Sequence, residues 1–211
     1  NPFCCVLASD LFLPWSWSDD RPRCRVAGIP DDLEHRPKWR IAIDQIEHAI
    51  GNGVRFEWVT FDEDYGQIPA LWFELDRLGQ WGIGEVRKNF LCWPTLPKYH
   101  SLQRPFAAKR VDNVCRHSPV FTRRNWRRFK IKNRTRGPLV VEAKAARVRL
   151  VDASNSDNNA SHPTDRTYWL IETRDVQTAE VKYFISNAPR STALLTMLRV
   201  AFARDHIERW F

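Results

Sequence analysis

Three side chains stand out for the chemistry their setting would allow: Asp62, Arg204 and Glu208. Asp62 follows directly on Phe56-Glu57-Trp58-Val59-Thr60-Phe61, a β-branched and aromatic run that reads as a buried strand. In open α/β sheets the loops at the carboxyl ends of strands open onto a crevice, and functional groups gather there. A carboxylate at such a point can reach a hard cation such as Mg2+, which takes oxygen ligands. The plain alternative is that Asp62-Glu63-Asp64 forms a polar turn ahead of a helix. Glu208 lies in a closing segment, residues 191–211, that reads as a helix. Leu194, Met197, Ala201, Arg204 and Glu208 fall there at three- and four-residue steps and share a face. A Glu on the inward edge of a helix is costly unless it is paired or bound to a cation. Arg204 precedes Glu208 by one helical turn, so an ordinary ion pair worth about a few tenths of a kcal/mol is the competing reading.

The second feature is charge. Arg104, Lys109, Arg110, Arg116, Arg123, Arg124, Arg127, Arg128, Lys130, Lys132, Arg134 and Arg136 crowd one stretch, opposed only by Asp112. The chain as a whole carries +8, with a pI near 9.5. That balance favours a polyanionic partner, and cations this dense are more than a solvated face needs. Within Thr122-Arg123-Arg124-Asn125-Trp126-Arg127-Arg128-Phe129-Lys130, cations alternate with aromatics, which suits phosphate neutralisation combined with base stacking. Arg123, Arg124, Trp126, Arg127, Arg128 and Lys130 are therefore the candidate DNA contacts. The competing reading makes Trp126 and Phe129 the buried anchors of a sheet.

Elements that could position these groups follow from periodicity. Strands are predicted at 5–13, 54–61, 83–87, 139–141, 146–151, 168–173 and 181–186. Helices are predicted at 37–50, where Trp39, Ile43, Ile46 and Ile50 share a face, at 69–78 closed by Gly79, and at 191–211. Alternating helix and strand at the start argue α/β, and the middle argues a β-rich insertion. The jump in charge marks a boundary near 97–104, and the polar run Ser154-Asn155-Ser156-Asp157-Asn158-Asn159 marks another within 152–165. A hydrophobic content of 43%, with ten Trp and twelve Phe, is enough for a sizeable core, and no apolar run is long enough for a membrane span. The five cysteines form no CxxC pair, which points to reduced, buried thiols, and the six histidines show no metal spacing. The opening Asn1-Pro2-Phe3, without Met or a basic leader, reads as a truncated chain.

Several segments then occur in a telling order: Leu11-Phe12-Leu13-Pro14-Trp15-Ser16-Trp17, Ala27-Gly28-Ile29-Pro30, Arg36-Pro37-Lys38 and Trp58-Val59-Thr60-Phe61-Asp62-Glu63-Asp64-Tyr65-Gly66. Much further on come Tyr183-Phe184-Ile185-Ser186-Asn187-Ala188-Pro189 and His206-Ile207-Glu208-Arg209-Trp210-Phe211. In this order and spacing the chain resembles the DDE transposases of bacterial insertion sequences, particularly the insertion-sequence 701 type.

The resemblance implies an α/β, ribonuclease-H-like core (1–98 and 166–211) interrupted by a basic β-rich insertion (99–165). It implies an Asp-Asp-Glu triad holding two Mg2+ or Mn2+ ions. Asp62 matches the second Asp and Glu208 the third acid, with Arg204 beside a DNA phosphate. The Tyr of the family's Tyr-x-x-Arg-x-x-x-Glu signature is Ala201 here, and its following Lys would fall past Phe211. The first Asp is expected upstream of residue 1, Asp10 aligning with a non-catalytic position. The implied activity is metal-dependent DNA cleavage and strand transfer at terminal inverted repeats and target DNA. A dimer in the DNA complex and a cytoplasmic, nucleoid-associated location go with it, and this fragment alone would be inactive. The reading from a different class is a non-catalytic, basic DNA-binding remnant of a decayed transposase.

Overall fold

The computed structural model of the chain describes residues 5–95, 107–134, 137–152 and 162–204. It divides into two compact units, Asn1–Phe56 and Glu57–Phe211.

The first unit is helical among its described residues, with α1 (Trp15–Ser18), α2 (Arg21–Val26) and α3 (Lys38–Gly51). Asp20 caps α2 by accepting the Arg23 amide at 3.1 Å, and Gly28 supplies the positive φ of +71° just past its end. α3 forms where the periodicity predicts it, after Pro37, and buries Ile41 and Ile43. The predicted strand at 5–13 does not form. Val6, Leu7 and Leu11 of that segment are exposed and only Leu13 is buried. With no neighbouring strand to complete a ladder, an extended segment leaves its backbone to water. Side chains fix it instead: Arg36 bonds both Asp10 at 2.5 Å and Asp44 at 2.8 Å, and the His35 ring meets the Leu13 carbonyl at 2.8 Å. Asp10 is thus half of an ion pair.

The second unit is mixed α/β. In chain order it holds β1 (Trp58–Phe61), α4 (Glu63–Gly66), α5 (Pro69–Arg77), β2 (Trp81–Val86), β3 (Leu91–Trp93), β4 (Lys109–Arg110), α6 (Val111–His117) and α7 (Pro119–Thr122). There follow β5 (Arg127–Arg134), β6 (Gly137–Asp152), β7 (His162–Pro163), β8 (Tyr168–Asp175), β9 (Val181–Ser186) and α8 (Leu194–Ala201). The strands form one mixed sheet in the order β1-β2-β9-β8-β6-β3-β4, with β5 and β7 also on β6. β1 and β2 run parallel, and every other pairing is antiparallel.

β6 runs unbroken through the two strands predicted at 139–141 and 146–151. Its burial changes phase midway. Leu139, Val141 and Ala143 are buried on one face, and Ala146, Val148 and Leu150 on the other. Because side chains alternate along a strand, both faces of this sheet must be covered. Met197 and Leu198 of α8 cover the first, packed with Ile83, Ile171 and Phe184. On the second lie Tyr168, whose ring meets Trp72 of α5 edge-on at 6.5 Å, and the ion pair of Lys144 with Glu172 at 3.1 Å, nearly buried between neighbouring strands. Burial pushes the thiol of Cys92 up to about 12 and raises that of Cys115 as well, so both stay protonated. Cys24, Cys92 and Cys115 are buried free thiols as the cysteine spacing predicts, whereas Cys5 is free but exposed.

Of the closing helix predicted at 191–211, α8 covers Leu194–Ala201, with Phe202 as its cap, and 205–211 lie outside the described residues. Two contacts explain the stop. The Phe202 ring turns onto Phe184, 5.5 Å between centroids, and Lys132 on β5 donates to the Phe202 carbonyl at 2.6 Å. The carbonyl of the cap residue, left without a helical partner, thereby gains a charged donor. Arg204 therefore lies past the α-helix, and Glu208 lies outside the described residues. Among the described residues no helix is long and apolar enough to cross a membrane.

Candidate functional site

The position of Asp62 is set by its neighbours on β1. Phe61 stands opposite Gly84 on β2, and its ring covers that glycine: a Cβ there would collide with the ring. A Cβ on Gly82 would come within 2.9 Å of Leu75, so the two glycines exist to let α5 and Phe61 lie flat on the sheet. Asp62 is still extended, at φ −82° and ψ −175°, so its side chain turns to the opposite face, the one α8 covers.

Asp62 is also the N-cap of α4. Its Oδ1 accepts the amides of Asp64 at 3.1 Å and Tyr65 at 3.3 Å. Gly66 ends the short helix against β2, where any Cβ would collide with the Glu85 carbonyl, and the indole of Trp72 donates to the Gly66 carbonyl at 2.9 Å. The segment Asp62-Glu63-Asp64-Tyr65-Gly66 is thus a cap and a close-contact glycine around one turn of helix. Both readings of Asp62 from the sequence land on the same atom group: it is a turn acid and a strand-end acid at once. Burial, with Asp62 and then Asp64 adding, raises the Tyr65 phenol above its ordinary value.

The second carboxylate oxygen faces the end of α8. Arg204 Nη1 lies 3.3 Å from Asp62 Oδ2, both side chains partly exposed. Beside them a cavity of about 270 Å3 is lined by Glu85, Lys182, Phe184, Phe202 and Arg204 among others. Glu85 follows Gly84 on β2, next to Asp62 in the parallel register, and pairs with Lys182 at 3.1 Å. The sequence reading missed Glu85 and Lys182; the signal was there in Gly82-Ile83-Gly84-Glu85, a strand whose small residues announce a close approach. Among the described residues no group of three or more His, Cys, Asp or Glu gathers as a metal site.

The six candidate DNA contacts follow α7 and run into β5, and all six are exposed. They do not share a face. Arg128 stands opposite Glu142 and Lys130 opposite Val140, while Phe129 between them is buried in the α8-side core. Glu142 takes Arg128 at 3.0 Å and Arg174 of β8 at 3.2 Å, a three-strand rung of charge. The Arg128 hydrogen bond first, then the charges of both arginines, hold the Glu142 carboxyl below its ordinary range. Trp126 lies beside this rung with Lys144 at 4.6 Å and Arg174 at 4.7 Å from its ring centroid. Arg127 folds to the other side, 5.1 Å from the ring centroid of Phe129. Arg123 and Arg124 precede the strand in the turn after α7. The two readings of the aromatics therefore split: Phe129 is the anchor, and Trp126 is an exposed ring set among cations. Arg174, a full partner in this platform, had no signal in the local charge run.

The late segment Ser186-Asn187 is structural. Asn187 accepts the Gly82 amide at 2.7 Å and donates to Asp76 at 2.8 Å and to the Gln80 carbonyl at 3.0 Å, while Ser186 donates to the Gly82 carbonyl at 2.7 Å. These bonds tie β9 to the loop that leads into β2, and so fix the strand beside Asp62.

Compared with family models, residues 1–138 match one described as a DDE superfamily endonuclease. The matched stretch is more than half of the chain and takes in Asp62 and β5; Arg204 lies beyond it. No curated protein matches the chain.

Proposed function

The chain belongs to the DDE superfamily of endonucleases, and from that premise we propose that it cuts and joins DNA as a transposase of the insertion-sequence 701 type. We read it as a piece of such an enzyme, with a ribonuclease-H-like core in 1–98 and 166–211 and the basic insertion in 99–165. What carries the reading is the meeting of Asp62 and Arg204 at 3.3 Å. The resemblance assigns these two residues to one active site although they stand at opposite ends of the second unit's sequence. Further support comes from the parallel β1–β2 pair with the acid at the carboxyl end of β1.

Asp62 offers a partly exposed carboxylate, the donor a hard cation takes, and its two amide bonds hold it in one orientation. Two Mg2+ or Mn2+ ions, when bound, would supply the charge stabilisation for attack on and departure from phosphorus. Asp62 and Glu208 are ligands in this reading, not general bases. The neighbouring acids Glu63, Asp64 and Glu85 are each paired with a cation, Arg87 or Lys182, so in this reading the set is completed by Glu208 and by the family's first Asp, expected upstream of residue 1. Arg204 presents a planar, multi-donor group to a DNA phosphate beside the carboxylate. The platform of Arg128, Lys130, Arg174 and Trp126 holds the double-stranded DNA away from the reacting bond.

A second reading, a basic DNA-binding protein without catalysis, draws on the fact that Asp62 already has a complete structural task as the cap of α4. Iron-directed cleavage separates the two. With Fe2+ in place of Mg2+, ascorbate and peroxide cut a protein backbone beside the bound ion. Cuts close to residue 62 that vanish in Asp62→Asn, a substitution that keeps the cap, support the metal site. Cuts that persist in that variant, or that fall only elsewhere, favour the non-catalytic reading.

A further inference from the structure

On the far side of the Glu85–Lys182 ion pair from the cavity lies an open groove of about 750 Å3. Its walls are the end of β2, the turn of Arg87, Lys88 and Asn89, the start of α6, and β9. Glu85 and Lys182 line the cavity and the groove alike, so one ion pair separates the groove from the surroundings of Asp62 and Arg204. Glu63, the residue next to Asp62, lines it as well.

Three acids reach this groove, and each is answered by a cation. Arg87 pairs with Glu63 at 3.2 Å, Lys182 with Glu85 at 3.1 Å, and Arg110 with Asp112 at 2.7 Å. Lys88 and Arg116 remain. They come from two different elements, both are exposed, and neither has an acid within ion-pair distance among the described residues. Neither belongs to the β5 platform. The groove therefore carries a surplus of two positive charges on an open floor. A small anion needs enclosure to be held, since an exposed ion gains little in high dielectric. An extended polyanion needs none: each phosphate that meets a fixed cation releases a condensed counterion, and successive phosphates add.

We infer that this groove is a second track for the phosphate backbone of DNA, in which Lys88 and Arg116 meet separate phosphates and lead the strand to Asp62. The inference rests on the reading of the chain as a DNA-cutting enzyme. It assigns the protein two DNA contacts of different purpose: the platform grips the duplex, and the groove feeds the strand that is cut.

The test is a salt titration of binding to a labelled DNA duplex, and to its single strand, by the full chain. The double variant Lys88→Gln/Arg116→Gln is compared with Arg128→Gln/Lys130→Gln, circular dichroism confirming that both are folded. The groove variant is expected to bind DNA about tenfold more weakly at moderate salt. Its log–log salt slope should be shallower by roughly 1.8 units for duplex and about 1.4 for single strand, two phosphate contacts in each case. Wild-type affinity and slope in the groove variant, with the platform variant weakened, would overturn the groove and leave the proposed function standing. If the unaltered chain binds neither form of DNA, the proposed function fails and the groove fails with it.

Discussion

The strand end at Asp62 and the hairpin of β5 and β6 are built on opposite terms. At Asp62 a few residues each do several jobs: one carboxylate caps α4 with one oxygen and meets Arg204 with the other. At β5 many residues share one job, and the register sorts them, sending Arg128 and Lys130 to the open face and leaving Arg127 on Phe129. A site concentrated in one side chain should fail with one substitution, whereas a platform spread over three strands should weaken by degrees.

The largest effect expected on either side comes from beneath the platform. Lys144 and Glu172 are a nearly buried pair, so Lys144→Met alone strands a carboxylate and should cost about 3–5 kcal/mol in urea unfolding. Adding Glu172→Leu should recover most of that. If the single variant is as stable as the wild type, the platform does not rest on this pair.

Next comes Gly66→Ala, which drives a Cβ into the Glu85 carbonyl and should cost about 1–3 kcal/mol by the same measurement, as overpacking does. A smaller difference separates two changes at Asp62. Asp62→Ala removes the cap and should destabilise by about 1 kcal/mol, while Asp62→Asn should be near wild type. Equal stability of the two would show that the cap contributes nothing.

On the platform, Arg128→Gln and Lys130→Gln should each weaken DNA binding a few-fold, and Arg127→Gln less, because its guanidinium lies over Phe129 on the other side. Equal losses from all three in a binding titration would mean that sidedness is irrelevant and only net charge counts.

One effect is confined to alkaline pH. Burial, helped by Glu172, pushes the Tyr183 phenol up to about 12 from 10.0. The unfolded chain then gives up this proton first as pH rises through 10, so stability falls between pH 10 and pH 12. Tyr183→Phe should flatten that part of the profile in denaturant midpoints taken at several pH values. An unchanged profile would locate the titration elsewhere.

Much of the second unit was legible because its elements are locally determined. α5 follows from Pro69 at its start and Gly79, at φ +65°, just past its end; β8 and β9 follow from their apolar runs. What was not legible depends on partners distant in sequence. The segment at 5–13 has the composition of a strand and no neighbour to pair with. α8 stops at Ala201 although the helical period runs on to Arg204, because Phe184 and Lys132 capture Phe202. β6 reads as two strands because its buried face switches at Lys144, a change that makes sense only once helices cover both sides of the sheet. At the candidate site Asp62 and Arg204 were readable one at a time; the small residues before Glu85 hinted at a close approach, but only the register shows that Glu85 and Lys182 stand beside Asp62.

The central claim is that DNA cutting depends on the charge of Asp62 and not on its cap. It is tested by Mg2+-dependent nicking of terminal-repeat DNA by the longer protein of which this chain is read as a piece, compared between wild type and Asp62→Asn. The account predicts that the variant folds, binds DNA with wild-type affinity and nicks at least a hundredfold more slowly. Nicking at the wild-type rate by a folded Asp62→Asn protein would contradict it.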